Sequence, residues 1–257
     1  MEKKYELKDL EDIMDKLLGE DGCAWDKEQT HDSLKKHLAE ESYEVIEAIE
    51  RGDKAELCDE LGDVLLQVVF HAKLAEKENH FTTSNVIEGI CKKMIRRHRH
   101  IYGEDVMETS ELVKGNWEKI KREEKTQSVT ESMQTIPRAM PALFRAEKVQ
   151  TKASNVRFDF MELDSAFSKL MEEVDELKIE ISKNGNIEEE LGDILFSIVN
   201  IARFLQINPE FALTKSTEKF INRFGYIENV ASSSGRAFED LSEHEMDLLW
   251  NESKDYL

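Results

Sequence analysis

The chain reads as an all-α protein built from two tandem, duplicated helical-bundle units. Three observations point there. Three prolines and eleven glycines in 257 residues leave few helix breakers. Apolar residues recur mostly at three- and four-residue spacing, the period of a helix with one buried face. The second half also repeats the landmarks of the first, in the same order.

Taken in order, Leu7, Leu10, Ile13, Met14, Leu17 and Leu18 mark a first helix closed by Gly19, and a loop follows through Gly22–Asp26. A second helix is expected from about His31 to Glu50, stopping at Arg51-Gly-Asp53. The third, about Lys54 to Lys77, carries the stripe Leu57, Leu61, Val64, Leu65, Val68 and Val69. Thr82–Asn85 can cap a fourth, running to about Tyr102, and a shorter one around Leu112–Glu124 holds Trp117. The polar residues from Thr126 to Gln134, ending at Pro137 and Pro141, read as a linker. The domains expected are therefore 1–126 and 138–257, joined by 127–137. In the second, helices are expected over about Ala139–Lys152, Leu163–Ser182 and Ile187–Leu205. Asn208-Pro209 reads as an N-cap with proline at the first helical position, opening a helix to about Ala231. Ser242 with Glu245 forms a capping box for the last helix, to about Tyr256.

The repeat is specific. Trp25-Asp26 answers to Phe158-Asp159, Glu41 and Glu44 to Glu173 and Glu176, and Glu60 and Asp63 to Glu190 and Asp193. Lys93 and Arg97 answer to Lys219 and Arg223, and Trp117 to Trp250. The offset drifts only where turns gain or lose residues.

The chemistry lies in the paired acids. Glu173 and Glu176 leave one helix face a turn apart, and Glu190 and Asp193 do the same beyond the turn Lys183–Asn186. If the two helices fold back on each other, four carboxylates converge. Two unit charges about 4 Å apart repel by roughly 4 kcal/mol at an effective dielectric near 20. Such a cluster either takes up protons or holds a cation, and an all-oxygen set suits Mg²⁺ before Zn²⁺. Gly62 and Gly192 lie between acids that lead straight into apolar runs, which suggests a close-packed helix face at both copies. Basic residues stand elsewhere: Lys92, Lys93, Arg96, Arg97 and Arg99 in the first half, Lys215, Lys219 and Arg223 in the second. They serve either as surface partners for nearby acids or as phosphate ligands.

A formal net charge of −20 argues against coating nucleic acid or anionic lipid. Cys23, Cys58 and Cys91 form no CxxC pair, as expected for reduced thiols. With neither an apolar leader nor a run of 18 apolar residues, the expectation is a cytoplasmic protein.

Together these residues resemble the MazG family of nucleoside triphosphate pyrophosphohydrolases in its two-domain bacterial form. The resemblance covers nearly the whole chain through Cys23-Ala-Trp-Asp-Lys-Glu-Gln-Thr30, Glu40-Glu-Ser-Tyr-Glu44, Asp59-Glu-Leu-Gly-Asp63, Ile136-Pro-Arg-Ala-Met-Pro-Ala-Leu143, Asn155-Val-Arg-Phe-Asp159 and the second acidic set. It implies an all-α homodimer of the all-α NTP pyrophosphatase type. It also implies hydrolysis of NTPs and dNTPs to monophosphate and pyrophosphate, in nucleotide-pool housecleaning or stress regulation. Mg²⁺ is the implied cofactor, with Mn²⁺ as a substitute. Carried over residue by residue, Glu173, Glu176, Glu190 and Asp193 hold the metal in the second, main catalytic half. Lys169, Glu172, Glu189, Lys219, Arg223 and Trp250 line the nucleotide; a carboxylate not fully engaged by the metal, Glu172 or Glu173, is the expected acceptor of the water proton. Glu41, Glu44, Glu60 and Asp63 offer a second metal site in the first half. The chain departs from the family at Ala24, where proline is usual, at Asn186 and Asn222, where similar proteins carry basic residues, and at His37, which stands where the second half has Lys169.

Two rivals remain: a narrower enzyme acting on dUTP, dCTP or a modified nucleotide, and a non-catalytic helical regulator binding partner proteins through acidic faces. A carboxylate di-iron bundle needs paired Glu-x-x-His motifs, which the acidic helices lack.

Overall fold

The structure, a computed structural model, describes residues 3–103, 109, 112, 113, 115, 116, 120 and 128–256. These form helices with no strand among them, and none of the helices is long and apolar enough to cross a membrane. Trp117 and most of the expected 112–124 helix lie outside the described residues. The chain divides into two compact units, Met1–Glu124 and Lys125–Leu257.

In the first unit, α1 (Leu7–Leu17), α2 (Ala24–Glu28), α3 (Lys35–Arg51), α4 (Lys54–Lys77), α5 (Thr83–Arg97) and α6 (Arg99–Tyr102) follow in order. Gly52, at φ 73°, ends α3 in the left-handed region that glycine alone enters without strain. Asp53 then caps α4 by accepting the Ala55 and Glu56 amides, so α3 and α4 fold into a hairpin. Helix α1 packs on α4 in a core of Met14, Leu18, Val69 and Phe70, joined by Leu34 from the turn before α3. Buried Lys73 of α4 reaches Asp15 of α1 at 2.8 Å and Glu76 at 3.0 Å. Two expectations shift. Residues 31–34 form turns before α3 rather than its first turn. The fourth helix breaks at His98 (φ −111°, ψ 51°), dividing α5 from α6.

The second unit contains α7 (Val129–Gln134), α8 (Ala142–Ser154), α9 (Leu163–Lys183), α10 (Ile187–Phe204), α11 (Pro209–Ser233), a 3₁₀ turn (Phe238–Asp240) and α12 (Glu243–Tyr256). The polar 126–134 stretch is thus partly helical: Ser128 and Glu131 form a capping box that starts α7, which packs on α8. Asn184, at φ 52°, turns the chain out of α9. The Glu180 carboxylate accepts the Asn186 amide at 3.1 Å, and a Cβ at Gly185 would meet that carboxylate at 1.8 Å, so a larger residue there would displace the Glu180 side chain from the turn. Helices α9 and α10 form a hairpin equivalent to α3–α4, with α8 laid on α10. The Asn208 side chain accepts the Phe211 amide at 3.1 Å and caps α11, as its Asn-Pro start predicts. Helices α11 and α12 close over Ile227, Ala231 and Leu241.

Candidate active site

Helix α9 carries Lys169, Glu173 and Glu176 at i, i+4 and i+7, along one face. The first turns of α10 bring Glu190 and Asp193 against them. One carboxylate oxygen each from Glu173, Glu190 and Asp193 lies within 4.8 Å of the others, and Glu176 joins through a hydrogen bond with Glu173. Glu173 is only 5% exposed. Loss of solvent, then the neighbouring Glu173 charge, pushes the Glu176 carboxyl above its ordinary value. Glu190 is pushed up by loss of solvent and then by Glu176, Asp193 and Glu173. Its Oε2 is buried with no hydrogen-bond partner, a gap of the kind that ordinarily costs free energy. An all-oxygen donor set with one orphaned buried oxygen fits a hard divalent cation. The Lys169 ammonium lies 2.7 Å from Glu173 and 2.8 Å from Glu172, and both contacts raise its pKa.

The first unit repeats the acids without the ammonium. Oxygens of Glu41, Glu60 and Asp63 also fall within 4.8 Å of one another. Loss of solvent pushes Glu41 up, followed by a hydrogen bond with Glu44 and the Asp63 charge; Glu60 rises through loss of solvent and then the Glu44 and Asp63 charges. At the place of Lys169, His37 has its Nδ1 3.2 Å from Glu40 and its ring 6.2 Å from Trp25, edge on.

The expected nucleotide residues form two groups. Lys169 and Glu172 stand with the acids, and Glu189, on the first turn of α10, accepts a hydrogen bond from Asn186 Nδ2. In the other group the Arg223 guanidinium lies 5.6 Å over the Trp250 ring, itself 5.2 Å from Phe220 and packed on the α11–α12 apolar cluster. Lys219 is exposed on α11. Among the described residues, no ion pair joins Lys219 or Arg223 to the acid cluster.

One expectation is overturned. Among the described residues, a Cβ at Gly62 or Gly192 would meet nothing within 4 Å beyond its own helix, so packing within the chain does not explain either glycine. Both leave open space beside carboxylates. Sequence reasoning also missed Arg203, whose guanidinium lies 2.5 Å from Asp159. It missed the paired imidazoles of His31 and His71 as well, with Nδ1 atoms 2.8 Å apart. The pairing of Trp25-Asp26 with Phe158-Asp159 marked Asp159 but not its partner Arg203, and the imidazole pair has no counterpart in the other half.

The chain matches the model of the MazG nucleotide pyrophosphohydrolase domain over residues 29–102 and again over 162–226, the two hairpins that carry the acids. It is 42% identical to a Thermotoga maritima protein named nucleoside triphosphate pyrophosphohydrolase/pyrophosphatase MazG, over 96% of this chain and 94% of that one. It is 40% identical to the nucleoside triphosphate pyrophosphohydrolase of Escherichia coli K12, over 91% of each chain. It is 44% identical to the Bacillus subtilis protein YabN over 98% of this chain, which spans 52% of that relative. Two matched segments, full-length relatives and a duplicated acidic hairpin agree: the chain belongs to the MazG family of nucleotide pyrophosphohydrolases.

Proposed function

We propose that the second unit is the main catalytic one, and that the family's reaction runs there: nucleoside triphosphate and water give nucleoside monophosphate and pyrophosphate. Glu173, Glu176, Glu190 and Asp193 hold Mg²⁺, with Mn²⁺ as a substitute. The bound ion supplies charge neutralisation at the phosphate oxygens and makes a neighbouring water a better nucleophile. The observation that carries this reading is the gathering of Glu173, Glu190 and Asp193, with an unpartnered buried oxygen on Glu190 and an ammonium 2.7 Å from Glu173.

The chain's own groups divide the remaining work. Lys169 already bridges two carboxylates and can trade one of them for a phosphate oxygen as charge builds on the leaving pyrophosphate. Glu172 is more than half exposed and outside the three-acid cluster, which leaves it, rather than Glu173, to accept the water proton. Glu189, Lys219, Arg223 and Trp250 line the nucleotide, and Arg223 Nε has no hydrogen-bond partner. Each cationic group named addresses phosphate, so the proposed substrate range is broad, NTPs and dNTPs alike. Glu41, Glu44, Glu60 and Asp63 form a second metal site in the first unit.

The proposed state is a cytoplasmic homodimer. Leu61, Leu65 and Val68 on α4 and Leu191, Leu195 and Ile198 on α10 are repeat-related stripes, each residue at least 38% exposed. Apolar faces of that kind fit a second copy of the chain.

The deciding experiment incubates the intact chain and its Glu176→Ala variant with mixed NTPs and Mg²⁺ and resolves the products. Monophosphate with pyrophosphate, lost in the variant, is the expected result. Diphosphate with phosphate, or an active variant, overturns the reading.

A further inference from the structure

The loop 155–162, between α8 and α9, contributes nothing to the carboxylate cluster, yet it is firmly built. The amides of Asn155, Val156, Arg157 and Phe158 all bond back onto the last turn of α8, with Arg157 in the left-handed region at φ 65°. Asp159 accepts the Phe160 amide at 2.9 Å and the Arg203 guanidinium at 2.5 Å. Arg203 also donates to Asn200 at 2.6 Å and lies 5.0 Å over the Phe204 ring. On this scaffold Phe158 is 81% exposed and Met161 96% exposed. A loop held this tightly while presenting two large apolar side chains implies an apolar partner.

We infer that Phe158 and Met161 form the surface on which the nucleobase of the bound triphosphate stacks. The inference rests on the catalytic reading of the second unit and adds the base-recognition element to it. The loop leads into α9, along which Lys169 and Glu173 follow Leu163 by about 9 and 15 Å at the helical rise. Lys169 thus lies on the loop side of Glu173, one turn nearer. A triphosphate running from the ion past Lys169 continues toward the loop. The first unit offers the repeat-matched pair for comparison. Trp25, the counterpart of Phe158, sits 6.2 Å from His37, the counterpart of Lys169. Trp25 lies on short α2, so in that unit the residue matched to Phe158 stands beside the position matched to Lys169. Trp250, the other aromatic candidate, is engaged by Phe220 and the α11–α12 core. Asp159 and Arg203 are positioning residues that hold the stacking loop in place.

The test compares the wild-type chain with Phe158→Ala, Phe158→Tyr and Asp159→Asn, using ATP and CTP as substrates and inorganic tripolyphosphate as a base-free competitor. A base–aromatic stack lost in Phe158→Ala raises KM roughly tenfold with kcat little changed. Asp159→Asn moves KM in the same direction, Phe158→Tyr restores it, and inhibition by tripolyphosphate stays the same in all four proteins. Unchanged KM in Phe158→Ala, equal weakening of ATP and tripolyphosphate, or a change of oligomeric state in place of the KM change overturns the inference. If the wild-type chain hydrolyses no triphosphate, the reading of the carboxylates falls on its own. Calorimetry of ATP with Mg²⁺ then decides the loop: weaker binding by Phe158→Ala supports stacking, equal binding overturns it.

Discussion

The Lys169 ammonium lies 2.7 Å from the Glu173 carboxylate, while His37, at the equivalent position of the first unit, reaches Glu40 and leaves Glu41 hydrogen-bonded to another acid. The two units therefore share the acidic pattern, but only the second places an ammonium directly on one of the clustered acids. On the proposed reading, this difference assigns phosphate transfer to the second unit and leaves the first without a lysine at that position. Lys169→Met should lower kcat by about 10²-fold, the usual effect of removing one transition-state charge partner. His37→Met should leave turnover with ATP unchanged. Steady-state kinetics with circular dichroism as the folding control checks both.

The acids also set a pH dependence. Glu176 and Glu190 titrate above the ordinary carboxylate value in the folded chain, as do Glu41 and Glu60. A carboxyl with a raised folded pKa favours folding below its unfolded value of about 4.3, and that contribution disappears as pH rises through the folded pKa. In the metal-free protein Tm should therefore fall on going from this value toward neutrality. Mg²⁺ should restore it, by more at pH 7 than at pH 5. Glu176→Gln should flatten the metal-free profile and shrink the Mg²⁺ effect. Calorimetric scans across pH, with and without Mg²⁺, read all three.

Acid should act through a different contact. Arg236 donates to both Glu245 oxygens, and the Ser242 amide and hydroxyl add further bonds. These hold the Glu245 carboxyl down to about 2, led by the guanidinium. A depressed pKa contributes stability above the unfolded value and loses it as pH falls toward the folded one. The start of α12 should loosen between about pH 4 and pH 2. Hydrogen exchange at 243–247 should rise across that window, and Glu245→Gln should remove the transition.

Much of this was legible in the sequence because helices advertise themselves through period and caps. Asp53, Thr82, Asn208 and Ser242 each begin a helix where the residue type requires one. The i, i+3 spacing of Glu173 with Glu176 also fixes a shared face, whatever the surroundings. What spacing does not encode is register between helices. The Arg203–Asp159 contact joins residues 44 apart with no pattern between them. The roles of Trp250 and Arg223 as each other's partners depend on how α11 meets α12. Five-residue α2 falls below the length at which periodicity is visible. Glycine was misread for a related reason. Its presence in both copies signals a constraint, but within the chain no neighbour crowds either position.

That empty space yields a stability–activity contrast. Gly192 sits on α10 between Glu190 and Asp193, and an added methyl group meets no atom beyond its own helix within 4 Å among the described residues. Gly192→Ala should stabilise the fold by roughly 0.5–1 kcal/mol, since alanine is the better helix former. If the gap is kept clear for the triphosphate, the same substitution should raise KM for ATP while Tm increases. A stabilised variant with unchanged KM would show that the gap serves no ligand.

The exposed stripes make the last distinction, between a crowded site and a broken assembly. Leu191, Leu195 and Ile198 follow one another at i, i+4 and i+7 on α10, so a single charge in the middle disrupts the whole face. Leu195 is 47% exposed, so Leu195→Glu costs the isolated unit little burial. In a dimer closed over that stripe, an unpaired carboxylate is desolvated, and association should weaken by several powers of ten. Analytical ultracentrifugation should find the wild type dimeric and Leu195→Glu monomeric at micromolar concentration. The equivalent first-unit change, Leu65→Glu, separates the two stripes: if it alone dissociates the protein, the first unit carries the interface, and the α10 face is free for another use.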